Sequence, residues 1–204
     1  MKFTKHHEYV SIGSQTANYR IILLHGWGAD FHDLLPLGDA IIKDLPLDFQ
    51  VISLRAPITR SDNIGRQWYD LFPANWQQAT NEVEKLISTL NQLSKNSIAL
   101  QQTVLLGFSQ GAAMTLAISS ELEFGLVVSC SGYAHPDWNP KVKGPVLLGH
   151  GLKDNIVPID ASRQIQKRIN LNSSFECRLH EFDGFHEIDN KFVDLIRQNI
   201  KNIF

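Results

Sequence analysis

The chain has 204 residues, 43% of them hydrophobic and 20% charged, with a formal net charge of −2. This length and composition predict one globular domain over residues 1–204 that can bury its own core. The near-neutral charge, without a basic run, excludes an electrostatic surface for nucleic acid and disfavours binding to an anionic membrane. Met1–Val10 has no apolar leader and no apolar run could span a bilayer, so we expect a cytoplasmic protein without stable membrane insertion.

Short apolar runs, interpreted as strands, open the chain. Glu8–Ile12 predicts an antiparallel edge strand, and Ile21–Leu24 and Val51–Leu54 predict strands buried on both faces. The glycine-containing segment Leu24–Asp30 follows the first buried strand. Its glycines would let backbone N–H groups point at a reacting carbonyl, or would serve only the geometry of a turn. The connection Arg55–Asp70 is long for a compact domain, and we expect it to cover an active site.

Apolar side chains at helical spacing predict three amphipathic helices between and after the strands. The first leaves Glu82, Glu84 and Lys85 to solvent. The apolar positions are Val83, Leu86, Ile87, Leu90 and Leu93 in the first, Ala161, Ile165 and Ile169 in the second, and Ile188, Phe192, Leu195, Ile196, Ile200 and Ile203 in the third. Alternation of strands and helices predicts a mostly parallel sheet with helices on both faces, the α/β class.

The predicted strand Val104–Leu106 runs directly into the pattern Gly-x-Ser-x-Gly, which places Ser109 between a strand and a helix. Such a turn holds a serine in strained backbone geometry and leaves room only for small neighbours. A plain tight turn is the alternative, but the strand-to-helix context favours a nucleophile. The backbone N–H of Gln110, directly after the serine, would be one donor to an oxyanion.

A serine nucleophile needs a histidine base, and that base needs a carboxylate to orient it. Asp154 follows the predicted strand Val146–Leu148, which comes after a further strand at Leu126–Val128, and so lies at the carboxyl edge of the sheet. Asp154 could instead be a turn residue, although Asp160 is better placed to cap the next helix.

His186 lies between a weaker predicted strand, Phe175–Leu179, and the last helix, from where it can reach the same edge. Asp183 is a rival partner but is more simply a turn residue. His25 and His150 each follow a strand and precede glycine, and we expect them to shape their loops. The sequence carries neither His-x-x-x-His nor His-Glu-x-x-His, so a metal hydrolase is disfavoured.

Cys130 and Cys177 are the two cysteines of the chain, and both lie in apolar, strand-like segments. We expect them to be reduced residues of the core.

Six motifs in order resemble the carboxylesterase and phospholipase-like branch of the α/β-hydrolases, the group that includes acyl-protein thioesterases. They are Leu24–Asp30, Arg55-Ala56-Pro57, Trp68-Tyr69-Asp70, Gly107-Phe108-Ser109-Gln110-Gly111, His150–Asp154 with Val157-Pro158, and Phe185–Ile188. The resemblance covers nearly the whole chain. It implies the α/β-hydrolase fold, a small-molecule ester or thioester as substrate, and no cofactor or metal.

Position by position, the resemblance implies Ser109, Asp154 and His186 as the catalytic residues. It also implies Trp27 and Gln110 as the oxyanion N–H donors. Four side chains in the motif loops are candidates for substrate contact, with a place in the core as the alternative: Trp68, Tyr69, Phe108 and Val157. Ala112 replaces the second glycine usual after Ser-Gln-Gly, and the covering segments are short for the family, which disfavours a long acyl chain.

The leading hypothesis is therefore a serine hydrolase of carboxylic esters or thioesters. A lactone or dienelactone hydrolase on the same fold is the nearest alternative. A catalytically silent binding module is the alternative from another class, and it would be marked by a broken triad. The sequence leaves the oligomeric state open.

Overall fold

The computed structural model describes residues 1–95 and 97–204. The strands are β1 (Lys2–Phe3), β2 (Glu8–Gly13), β3 (Tyr19–Leu24), β4 (Phe49–Leu54), β5 (Ile58–Thr59), β6 (Arg66–Gln67), β7 (Thr103–Phe108), β8 (Leu126–Cys130), β9 (Val146–Gly151) and β10 (Cys177–Phe182). The α-helices are α1 (Leu35–Ile42), α2 (Trp76–Ser94), α3 (Gln110–Ser119), α4 (Asp160–Asn172) and α5 (Asn190–Ile203), and a 3₁₀ turn covers Leu100–Gln102.

Eight strands form one sheet in the order β1-β2-β4-β3-β7-β8-β9-β10, while β5 and β6 form a separate hairpin. The pairs from β4 to β10 are parallel, and β2 joins β4 antiparallel, as predicted from its sequence. The two-residue β1 pairs outside β2, so the predicted edge strand is itself covered. The predicted mostly parallel α/β sheet is confirmed.

Successive side chains of the buried strands point to opposite faces of the sheet, and each face is covered by its own helices. Ile22 and Leu105 pack with residues of α2, α3 and α4. Their neighbours Ile21 and Leu106 pack with α1 and α5 on the other face. Because both faces are covered, the strands are apolar throughout, which is why their sequences do not alternate.

Two helical details differ from the sequence-based predictions. Glu82, predicted to face solvent, is buried at 4% exposure and accepts a hydrogen bond from Lys85 at 2.6 Å. It lies on the same stripe of α2 as Ala79 and Leu86, at helical spacing, so helix geometry carries it inward. The last helix begins at Asn190, after Ile188, because the Asp189 side chain accepts the N–H of Phe192.

The last strand begins two residues later than predicted. The backbone N–H of Phe175 is hydrogen-bonded to Ser173 Oγ in the turn after α4, and its ring is 38% exposed. Pairing with β9 starts at Cys177. Cys130 and Cys177 are buried free thiols, as expected.

No helix within residues 1–95 and 97–204 is both long enough and apolar enough to cross a membrane.

We expect Leu106→Ala to lower the free energy of unfolding by about 2–5 kcal/mol, since Leu106 is fully buried in the centre of the sheet and truncation leaves a cavity. Leu171→Ala is the matched control, because Leu171 is 73% exposed on α4 and its loss should cost within about 0.5 kcal/mol. Urea unfolding measures both changes. Equal losses in the two variants would contradict this description of the core.

Candidate active site

Ser109 lies at the turn between β7 and α3, with φ 53° and ψ −115°. This is a strained conformation for a residue with a side chain, and it is held by the close approach of α3 to the neighbouring strand. A Cβ atom on Gly111 would lie 2.0 Å from the carbonyl oxygen of Leu24 and 2.6 Å from that of His25. Only glycine therefore allows α3 to begin here.

Three side chains from separate loops meet at this turn. His186 Nδ1 lies 2.7 Å from Asp154 Oδ2, and His186 Nε2 lies 2.9 Å from Ser109 Oγ. An ionised carboxylate can only accept hydrogen bonds, so Nδ1 carries the proton and Nε2 is free to accept the serine hydroxyl. The sequence-predicted nucleophile, base and acid thus form one hydrogen-bonded series, with His186 between Ser109 and Asp154.

The carboxylate of Asp154 is fully buried yet well supplied with donors. Its Oδ1 accepts the backbone N–H groups of Ile156 and Val157, each at 2.9 Å. Burial by itself would raise the pKa of Asp154, but the hydrogen bonds from His186, Val157 and Ile156 outweigh it and lower the pKa below its ordinary value of 3.8. Asp154 thus shapes its turn and also faces His186, so the turn role and the predicted acid role are compatible.

The residue after the serine makes contacts through its side chain as well. Gln110 is fully buried; its Oε1 accepts the N–H of Trp68 at 2.9 Å, and its Nε2 donates to the carbonyl of Tyr69 at 2.8 Å. The predicted covering connection, Arg55–Asp70, is therefore hydrogen-bonded directly to the first residue of α3. The N–H of Gln110 lies in the first turn of α3, where backbone N–H groups have no partner within the helix.

The loop after β3 carries Trp27, which is held from two sides. Its Nε1–H donates to Gln67 Oε1 at 2.8 Å, and the Arg60 guanidinium lies 3.6 Å from the ring centroid. Arg60 forms an ion pair with Asp62 at 2.5 Å. A guanidinium over an indole face is attracted by the ring quadrupole, which fixes the ring's position.

The connection Arg55–Asp70 folds as the β5–β6 hairpin against this loop. Gly28 donates its N–H to the carbonyl of Arg66 at 2.8 Å, and Arg66 returns its own N–H to Ala29 at 2.8 Å. A cavity of about 790 Å³ is lined by Trp27 of the loop, by hairpin residues such as Arg60, and by residues 70–76, beginning with Asp70. The connection thus packs beside the predicted oxyanion loop, which fits its expected covering position.

The four candidates for substrate contact differ in accessibility. Trp68 and Tyr69 have no exposed surface, and both belong to the core, where Trp68 Nε1 donates to His25 and the Tyr69 hydroxyl bonds that of Tyr133 at 2.6 Å. The prediction that these two side chains contact substrate is therefore wrong, because both rings are fully buried and their polar atoms are hydrogen-bonded within the protein. Phe108 is half-buried with its ring centroid 4.8 Å from that of His186, and Val157 is 7% exposed.

Asp160, predicted to cap α4, is instead its first residue, and Ile159 occupies the cap without a side-chain bond. Asp160 pairs with Arg163 at 3.3 Å. The capping preference of aspartate failed here because Pro158 and Ile159 continue the turn into the helix, with Ala161 bonding back to Pro158.

Sequence reasoning missed the partners of Trp27, namely Arg60 and Gln67, and the contact of His150 with Asp154 at 3.2 Å. The covering connection was recognised by its length, but length does not tell which side chain turns inward. Among the described residues, no group of three or more His, Cys, Asp or Glu side chains is arranged to hold a metal ion.

A family model described as phospholipase/carboxylesterase matches residues 5–204. The chain belongs to this family. Membership, which the sequence resemblance had implied, supports an ester or thioester hydrolase activity.

Curated relatives agree with this placement. The chain is 28% identical over 191 residues to acyl-protein thioesterase 1 of Saccharomyces cerevisiae, covering 82% of this chain and 83% of the yeast protein. It is 23% identical to acyl-protein thioesterase 1 of Candida albicans, covering 95% and 96% of the two chains.

Solved structures share the fold. The crystal structure of esterase PE8 has a TM-score of 0.84 at 24% identity and covers 97% of this chain and 99% of its own. The Bacillus cereus carboxylesterase has a TM-score of 0.85 at 17% identity, with coverage of 98% and 96%. The α/β-hydrolase fold is thereby confirmed.

We expect the free energy of unfolding to fall more steeply from about pH 5 downward in the wild type than in Asp154→Asn. The pKa of Asp154 is lower in the folded chain than in the unfolded chain. Its ionised form therefore stabilises the fold at pH values above the ordinary aspartate pKa of 3.8. This stabilisation is lost as the pH falls through the lowered pKa. Urea unfolding across a pH series measures the slopes.

Asp183→Asn is the control, because its side chain is 74% exposed and pairs only with exposed Lys153 at the surface. Its slope should match the wild type. A slope for Asp154→Asn equal to both would mean that this carboxylate is not specifically held in the fold.

Proposed function

We propose that this chain is a serine hydrolase that cleaves carboxylic esters or thioesters through an acyl-enzyme on Ser109. The observation that carries the proposal is the continuous hydrogen-bonded series Asp154–His186–Ser109, with distances of 2.7 and 2.9 Å. The strained serine at a strand-to-helix turn, in a member of this hydrolase family, supports the same assignment.

In the first step, Ser109 Oγ attacks the acyl carbon while its proton passes to His186 Nε2. The imidazolium that forms is stabilised by the buried Asp154 carboxylate, which also holds the ring in the tautomer that accepts the serine proton. The carbonyl π electrons move to its oxygen, giving a tetrahedral oxyanion. The N–H groups of Trp27 and Gln110 are proposed to donate to that oxygen, aided by the dipole of α3.

Collapse of this intermediate breaks the bond to the alcohol or thiol, which leaves with the proton from His186. The acyl group is then bonded to Ser109 Oγ. Water attacks the same carbon, giving its proton to His186, and the second collapse returns that proton to Ser109. The carboxylic acid is released and the enzyme is restored.

We expect a fluorophosphonate probe to label the wild type on one serine, and Ser109→Ala to abolish labelling. The turnover of a p-nitrophenyl ester should fall about a millionfold in Ser109→Ala, or to the level of the uncatalysed reaction, because the nucleophile is lost. In-gel fluorescence, peptide mapping and initial rates measure these changes.

Ser120→Ala is the matched control, since Ser120 follows the opposite end of α3 and bonds only the carbonyl of Ala117. It should label and turn over like the wild type. A wild type that does not react would support the silent binding module instead, and labelling that persists in Ser109→Ala would place the nucleophile elsewhere.

The acyl group is proposed to be short. A long alkyl chain gains free energy only on apolar surface, whereas half of the residues that line the cavity beside Trp27 are polar, Arg60 and Asp70 among them, and the apolar ones include Leu71 and Phe72. The yeast relatives are named as acyl-protein thioesterases, and a thioester presents the same acyl carbon as an ester, so thioesters belong to the proposed substrates.

In a panel of p-nitrophenyl esters, we expect kcat/KM for the acetate to exceed that for the octanoate roughly tenfold or more, because the longer chain meets a wall that is half polar. Arg60→Leu should narrow this ratio by making one wall apolar. Thioesters with the same acyl groups should be cleaved with the same order of chain lengths. Faster cleavage of lactones than of any open ester would favour the lactone-hydrolase alternative.

A further inference from the structure

A second histidine lies against the proposed catalytic acid and the loop that carries it. His150 lies in β9 with no exposed surface. Its Nε2 is 3.2 Å from Asp154 Oδ2 and 2.8 Å from the carbonyl oxygen of Val157, while its Nδ1 is 2.7 Å from Ser162 Oγ. Ser162 is itself buried on α4.

These contacts assign the protons of the His150 ring. A carbonyl oxygen can only accept, so Nε2 carries the hydrogen and donates it to Val157, while Asp154 Oδ2 lies close by at 3.2 Å. In the neutral ring, Nδ1 then has a lone pair that accepts the hydroxyl hydrogen of Ser162. The opposite tautomer would turn a lone pair toward two acceptors, which is unfavourable in a buried site.

Asp154 Oδ2 therefore accepts from His186, while Oδ1 accepts the N–H groups of Ile156 and Val157, and His150 holds the carbonyl of Val157. We propose that His150 is a positioning residue that fixes the Val157 loop and, through it, the Asp154 carboxylate and the orientation of His186. The hydrogen-bonded series then runs Ser162–His150–Val157–Asp154–His186–Ser109. This inference rests on the proposed function, because it names a device that serves the same site.

A simpler role for His150 would be to fill the core and bond α4 through Ser162. That role does not account for the bond to the carbonyl of Val157, the residue whose own N–H donates to Asp154 Oδ1. Besides Asp154, the charged group that faces His150 is Glu181, its register partner on β10, which forms an ion pair with Arg163 at 2.7 Å. Of these two carboxylates, Asp154 is the one in contact with His150, at 3.2 Å.

Two substitutions at this position separate the roles. In His150→Gln, the amide nitrogen is as many bonds from Cβ as the ring Nε2, so the donor to the Val157 carbonyl is kept. In His150→Asn, the amide stands where Nδ1 was, so it can meet Ser162 but does not reach Val157. Ser162→Ala keeps the ring but removes the hydroxyl that selects its tautomer.

We expect His150→Asn to lower kcat about ten- to a hundredfold and to leave KM within about twofold of the wild-type value. Losses of this size are typical of groups that orient a functional side chain without contacting the substrate. His150→Gln should retain most of the wild-type kcat, and Ser162→Ala should show a smaller loss than His150→Asn. Initial rates on a p-nitrophenyl acyl ester measure these changes, with thermal unfolding as the check that each variant is folded.

A second readout does not depend on turnover. The His186 Nδ1–H proton, bonded to Asp154, should give a downfield proton NMR resonance in the unreacted wild type and in His150→Gln. That resonance should shift upfield or broaden in His150→Asn. If His150→Asn does not fold, Ser162→Ala is compared with the wild type instead, and the same changes in kcat and in the downfield resonance are expected at a smaller size.

Equal kcat values in His150→Gln and His150→Asn, whether both high or both low, would overturn the inference, as would an unchanged downfield proton in folded His150→Asn. A wild type that cleaves no ester and is not labelled at Ser109 would instead overturn the proposed function. The downfield proton would still decide the role of His150 in that case, so the two failures are distinguishable.

Discussion

The site depends on keeping one carboxylate ionised without contact with water. Asp154 has a fully buried side chain, and an unpaired charge in such a place would cost several kcal/mol. Two backbone N–H groups and the Nδ1–H of His186 donate to it, and the His150 ring lies 3.2 Å from its Oδ2. The loop after β9 must take one conformation to supply these donors, and that conformation directs the carboxylate at His186.

Much of the fold was predictable because its causes are local. Runs such as Ile21–Leu24 are apolar at every position only when both faces of a sheet are covered, so they indicate buried parallel strands directly. The serine turn was predictable for a similar reason, since Gly111 leaves no room for a side chain against Leu24. Parallel strands end at a common edge, and this brought Asp154 and His186 into the same prediction.

The remainder depends on contacts between distant segments, which a pattern does not carry. Glu82 was expected in solvent because charge predicts exposure, yet its place on the inward stripe of α2 decided otherwise. Trp68 stands beside a motif loop in sequence, but its ring turned into the core. His150 looked like a loop residue because the sequence does not show that a strand would bring its ring against Asp154. Side-chain direction, rather than position along the chain, separates these cases.

The paired hydrogen bonds between Gly28, Ala29 and Arg66 divide the covering hairpin into two parts with different freedom. Its base is tied to the glycine loop and has little latitude to vary. Its tip, Ser61 to Ile64, lies beyond those bonds and is exposed, with Asn63 already in a left-handed turn. Lengthening or shortening that tip would remodel the cavity's mouth while leaving the reaction geometry intact. Sequence change at this one surface turn can therefore alter the cavity without altering the base of the hairpin.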